Sequence, residues 1–124
     1  MSQAEAAKPH VLLVEDEPLV NMMMQETLQD AGFEVCAVQN ADEAVFHLVG
    51  DDLLDVMFTD VHMPGMNGAE LAKLARALRP DLRIVYTSGG VLAAEEKVPG
   101  SAFVRKPYEP DKVCALLSRL ACKV

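Results

Sequence analysis

A basic surface is the first thing this chain lacks. Eleven Lys and Arg stand against nineteen Asp and Glu, giving a formal net charge of −8 and a pI near 4.7. Binding to nucleic acid or to an anionic membrane requires positive charge that displaces counterions or meets lipid phosphates, so both roles are set aside. No apolar run approaches the ~18 residues needed to cross a bilayer, and MSQAEAAKPH carries no apolar leader core. The expected location is the cytoplasm, with residues 1–9 as a disordered extension. The three cysteines, Cys36, Cys114 and Cys122, are odd in number and lack CxxC spacing. They read as small core hydrophobes rather than bridges or metal ligands. His10 and His47 have no metal-ligand company along the chain and read as structural or surface residues. Low-complexity sequence and internal repeats are absent too, and 124 residues suit a single domain.

What is present is a rhythm. VLLVE (11–15), DVMFT (55–59) and RIVYT (83–87) are continuous rather than alternating apolar runs, as expected of strands buried on both faces of a parallel sheet. FEVCAV (33–38) and AFVRK (102–106) are weaker candidates that bring the set to five. Between them lie helical spacings: Val20, Met24, Leu28 and Ala31 after Pro18; Leu71, Leu74, Ala75 and Leu78 before Pro80; Val113, Leu116, Leu117, Leu120 and Ala121 after Pro110. Gly32 suits a left-handed close to the first helix, and Asn40 with Glu43 resembles a capping box opening a short helix over 41–49. The adjacent Met22, Met23 and Met24 read as gap-filling core or surface. The order is βα repeated five times, an open α/β sheet with right-handed crossovers. The fourth unit is short: SGGVLAAEEKVPGS leaves only about Val91 to Lys97 for a helix.

In such sheets ligands bind beyond the carboxyl ends of the strands. Those ends carry Glu15 and Asp16, Asp60, Thr87, and Lys106. Crowded carboxylates repel unless a cation neutralises them, and an oxygen-only site with few protein ligands suits Mg²⁺. Lys106 and Thr87 add a positive charge and a hydroxyl where phosphoryl oxygens would lie. Asp60 is left as the nucleophile, able to form an acyl phosphate.

The stretches VLLVEDEP, MFTDVHMPGMNG, IVYTS and FVRKPY together resemble the receiver domain of two-component response regulators, over about residues 10 to 123. The resemblance is to single-domain receivers of the chemotaxis-regulator kind. It implies a flavodoxin-like (βα)5 three-layer sandwich with a parallel sheet of order 2-1-3-4-5 and a short or irregular fourth helix. It implies Asp60 as phosphoacceptor in an aspartyl-phosphate phosphorelay, with Mg²⁺ (or Mn²⁺) held by Asp16, Asp60, the main-chain carbonyl of His62 and, through water, Glu15. Lys106 would bind a phosphoryl oxygen. Thr87 would swing to the phosphate and let Phe103 turn inward, and His62 and Gly89 would tune dephosphorylation. The implied donor is a sensor histidine kinase or histidine phosphotransfer protein, and the output a phosphorylation-dependent contact with an unidentified protein. The expectation is a signalling module rather than an enzyme, a receiver over 10–124 with no output domain, monomeric or weakly dimeric. A phosphatase of the aspartate-nucleophile type would place a second Asp where His62 stands, and a dinucleotide-binding unit would need G-x-G-x-x-G where EDEPLV has no glycine.

Overall fold

A computed structural model describes residues 8–90, 92 and 96–121. The extension expected over residues 1–9 and the short helix expected from Val91 to Lys97 lie largely outside the described residues, as does Cys122. Nine elements are described: β1 (His10–Val14), α1 (Pro18–Asp30), β2 (Glu34–Val38), α2 (Ala41–Val49), β3 (Val56–Asp60), α3 (Gly68–Leu78), β4 (Arg83–Ser88), β5 (Ala102–Arg105) and α4 (Pro110–Ala121). The strands form one parallel sheet of order β2-β1-β3-β4-β5.

The continuous apolar runs have the cause anticipated. Successive side chains leave a strand on opposite faces, and here both faces are covered. Leu12, Val14, Met57, Ile84 and Tyr86 join one core cluster with residues of α2 and α3. Val11, Leu13, Val56, Phe58 and Val85 join the other, against α1 and α4. The three-layer α/β sandwich follows, and β2 and β5 are the two edges, which is why their segments read less apolar.

Local chemistry sets the helix ends. Pro18 opens α1, and Gly32, at φ 101°, takes the left-handed conformation that ends the turn after it. Asn40 Oδ1 accepts from the Glu43 amide, but Glu43 reaches Gln39 N, one residue earlier than a true capping box. Asn67 and Glu70 make the complete box that starts α3. Met24 is fully buried while Met22 and Met23 are exposed, in keeping with core and surface roles. Among the described residues no helix is long and apolar enough to cross a membrane.

Tyr86 ties the shortened β4–β5 connection to the core. Its buried ring lies under the connection, and its hydroxyl oxygen accepts from the Val98 amide at 3.0 Å. Tyr86→Phe would strand a buried N–H, at a cost of about 1–3 kcal/mol. Urea denaturation should report that loss, with hydrogen exchange at Val98 accelerated.

Candidate functional site

Register alone brings the chemistry together. Parallel pairing sets Val14 opposite Thr59 and Asp60 opposite Thr87, so the loops after β1, β3, β4 and β5 open on one edge of the sheet. Glu15 follows β1, Asp60 ends β3, Thr87 lies near the end of β4, and Lys106 follows β5. Each of these placements agrees with the sequence reading. Glu15, Asp16 and Asp60 each offer a carboxylate oxygen within 4.8 Å of the other two. Glu15 is 4% exposed and Asp60 5%.

Lys106 Nζ reaches Asp60 Oδ2 at 2.9 Å, and the His62 amide donates to Oδ1 at 3.3 Å. Burial pulls the Lys106 ammonium towards neutrality, but the hydrogen bond and charge of Asp60, with Glu15 and Asp16 behind it, outweigh that and raise its pKa. Lys106 therefore stays charged throughout the neutral range. His62 itself projects to solvent.

Burial, then the neighbouring charge of Asp60, raises the Glu15 carboxyl above its ordinary 4.5, against a lowering hydrogen bond from the Glu17 amide. A raised carboxylate means the fold binds that proton more tightly than the unfolded chain. The contribution is present below pH 4.5 and is lost as pH rises through the folded value. Loss of that proton therefore costs the metal-free protein stability as pH rises. Glu15→Gln should raise the neutral-pH melting temperature in chelator, whereas Mg²⁺ should stabilise wild type more than the variant; differential scanning fluorimetry distinguishes the two. A set of three converging carboxylates, one of them held against its own ionisation, fits a hard divalent cation with oxygen ligands.

Thr87 is 1% exposed, and among the described residues its Oγ1 has no hydrogen-bond partner. A buried unpartnered hydroxyl costs stability, so it is poised to gain when an acceptor arrives. Its carbonyl accepts from Val61 N at 3.0 Å, which locks β4 to the residue after Asp60. Phe103 is partly buried against the core on the α2–α3 side, with Lys97 Nζ 5.5 Å from its ring. Gly89 is exposed, and a Cβ built on it meets nothing within 4 Å.

Three contributors escaped the sequence reading. Asn21 is buried in α1 and its Nδ2 donates to both Glu15 O and Val38 O at 2.9 Å, fixing the turn that presents the acidic pair. An Asn beside an apolar stripe was the only available hint. Tyr108 packs edge-on against Phe58 at 5.8 Å; burial, followed by the charges of Glu15 and Asp60, pushes its phenol up to about 12, so it remains protonated beside the acidic cluster. Gly68 lies so close to Asp60 that a Cβ there would stand 2.2 Å from the Asp60 carbonyl oxygen.

Comparison with known proteins agrees with this arrangement. Residues 11–118 match the response regulator receiver domain family. The chain is 33% identical over 112 residues to the C4-dicarboxylate transport transcriptional regulatory protein of Rhizobium meliloti, covering 87% of this chain but only 24% of that protein. It spans about a quarter of that relative's length. It is 28% identical to the chemotaxis protein CheY of Thermotoga maritima, covering 90% of this chain and 96% of that one. The crystal structure of a response regulator receiver protein from Sinorhizobium medicae superposes with a TM-score of 0.84 at 31% identity, covering 92% of this chain and 94% of that one. With the strand order, the acidic cluster beside Asp60 and the family match in accord, this chain belongs to the response regulator receiver domains of two-component signalling.

Proposed function

We propose that this receiver accepts a phosphoryl group on Asp60 in a Mg²⁺-dependent reaction and signals through a changed protein-binding surface. The observation that carries the reading is the buried Asp60 carboxylate, bonded to Lys106 at 2.9 Å and flanked by Glu15 and Asp16. Asp16, Asp60 and Glu15 would hold the cation, completed by the main-chain carbonyl of His62. A bound Mg²⁺ supplies positive charge that offsets the crowded carboxylates and the phosphoryl oxygens.

In the proposed step an Asp60 oxygen attacks phosphorus in line with the leaving imidazole of a phosphohistidine, borne by a sensor kinase or phosphotransfer protein. The O–P bond forms as the P–N bond breaks, and the electron pair departs on the imidazole nitrogen. Lys106, released from its pairing with Asp60, turns its charge to an equatorial phosphoryl oxygen, as a loose transition state requires. The unpartnered Thr87 hydroxyl then donates to the phosphoryl group. Moving Thr87 opens space beside Tyr86 and Phe103, which neighbour it on β4 and β5, and Phe103 turns inward. This two-state element converts local charge into a new surface.

The orphaned hydroxyl makes a signed test possible. Thr87→Val removes a buried unsatisfied group, so the unphosphorylated variant should be as stable as wild type or more stable by up to about 1 kcal/mol. It should nonetheless lose the phosphorylation-induced change in Phe103 environment by NMR. A variant that responds like wild type would remove Thr87 from the switch.

Open space at Gly89 supports a role in water access to the phosphoryl group, and the exposed His62, two residues after Asp60, would share it. Gly89→Asn should lengthen the aspartyl-phosphate lifetime in purified protein; an unchanged decay rate would refute that role. The reading as a whole is tested by mixing the protein with Mg²⁺ and a small acyl phosphate. Intact-protein mass spectrometry should show one added phosphoryl group on wild type, none in chelator and none on Asp60→Asn.

A further inference from the structure

The structure gathers a second set of ligand atoms, far from Asp60 and unused by phosphoryl transfer. Cys36 from the middle of β2, His47 from the last turn of α2 and Asp52 from the α2–β3 loop each present one ligand atom within 4.8 Å of the other two. Cys36 packs partly buried against the core, as expected, while the fold adds spatial neighbours to His47 that its position along the chain does not show. Cys114 is buried in the α1–α4 core, also as expected.

Three observations separate this cluster from chance proximity. The donors are sulfur, nitrogen and oxygen, a mixture that selects a borderline cation such as Zn²⁺ and disfavours Mg²⁺. They are held in place: Arg79, just beyond α3, donates to the carbonyls of His47 at 3.2 Å, Leu48 at 3.0 Å, Gly50 at 3.0 Å and Asp52 at 2.7 Å. One guanidinium therefore fixes the backbone under two of the three ligands and satisfies the carbonyls at the end of α2. Finally, the cluster opens on a cavity of about 340 Å³ at the sheet edge, lined by Cys36 and Asp52 together with His10, Glu34 and Leu53. His10 and Glu34 begin their strands, so this is the amino edge of the sheet, opposite Asp60.

We propose that Cys36, His47 and Asp52 form a three-ligand site for a Zn²⁺-class cation, with its remaining coordination position open to the cavity. His47 Nδ1 and Asp52 Oδ2 lie within hydrogen-bond distance, 2.5 Å apart. A cation binding here requires the two groups to move apart, breaks their hydrogen bond and binds Cys36 as the thiolate, with the displaced protons released to solvent. Three protein ligands and one open position match zinc sites that keep water or take a donor from another molecule.

In a purely structural role, His47 and Asp52 would merely close the end of α2 through their hydrogen bond. The two readings differ in their response to metal. The full chain, saturated with Mg²⁺ to fill the Asp60 site, is titrated with Zn²⁺ against a chromophoric chelator and, in parallel, with Co²⁺. Wild type should bind one equivalent of Zn²⁺, show cobalt–thiolate charge-transfer absorption and melt at a higher temperature with zinc. Asp60→Asn should bind zinc as wild type does. Cys36→Ala should lose the cobalt–thiolate absorption, and its zinc affinity should fall by more than the 10–100-fold typical of losing a supporting residue. His47→Gln, on a partly exposed helical position that tolerates the change, should fold normally and lose the zinc-dependent rise in melting temperature. Absence of stoichiometric zinc on wild type, thiolate absorption that survives Cys36→Ala, a zinc response retained by His47→Gln, or zinc binding lost in Asp60→Asn would each overturn the proposal.

Discussion

Gly68→Ala is expected to destabilise the protein by about 3 kcal/mol and to lower its melting temperature by about 10 °C, although one methyl group is the whole change. The added Cβ would lie 2.2 Å from the Asp60 carbonyl oxygen and 2.9 Å from both the Asp60 carbonyl carbon and Val61 Cα. All three are backbone atoms, so no side-chain rotation relieves the clash. Gly68 N also donates to Val61 O at 2.8 Å, which fastens the start of α3 directly under the end of β3. Relief must therefore shift Asp60 itself, and phosphoryl acceptance should fall with stability. Gly65 offers the internal control. Its φ of 78° strains any L-residue, yet a Cβ there meets nothing within 4 Å. Gly65→Ala should cost only about 1–2 kcal/mol and leave the acceptor in place. Equilibrium denaturation of both variants checks the order; equal costs would mean that close approach to Asp60 is not what demands glycine at 68.

Lys106→Met is expected to reduce the rate of phosphoryl acceptance by about 10²–10³-fold, the usual effect of deleting one preorganised charge from a transition state. Methionine keeps the length and apolar stem of the side chain, so the change falls on the ammonium. Lys106 N remains bonded to Ser88 O at 2.9 Å, so the strand end stays where it is. Without the ammonium, Asp60 faces Glu15 and Asp16 with no ion-pair partner among the described residues. Mg²⁺ should therefore stabilise the variant at least as much as wild type, while the reaction stays slow. Stopped-flow phosphorylation with a small donor separates the two effects. A wild-type rate in Lys106→Met would place the ammonium outside the chemistry.

The parts of this architecture that were legible in the sequence share a property: each is written in consecutive residues. VLLVE, DVMFT and RIVYT announce buried strands because both faces are covered, and parallel topology then delivers Glu15, Asp60 and Thr87 to one edge. Asn67 and Glu70 announce a helix start because the capping box is local. What stayed hidden depends on approach between distant segments. Arg79 reaches carbonyls 27 to 32 residues away, and neither its position nor its charge signals that role. Gly68 reads as loop punctuation, whereas its need for glycine arises from the Asp60 backbone across the turn. Cys36, His47 and Asp52 belong to a strand, a helix and a loop, so no spacing rule could join them. Their proximity follows from α2 running back along the sheet, which returns the end of that helix to the strand it left.

A phosphoryl group carried on Asp60 would be an acyl phosphate. Borohydride reduces an acyl phosphate and leaves ordinary carboxylates and phosphoesters alone, so it marks the acceptor. Protein phosphorylated in Mg²⁺, reduced with borohydride and mapped by peptide mass spectrometry should show the reduced side chain at position 60 alone, and only when Mg²⁺ and donor were both present. Reduction at another carboxylate, phosphate retained on a histidine or hydroxyl, or an unmodified Asp60 would rule Asp60 out as the acceptor.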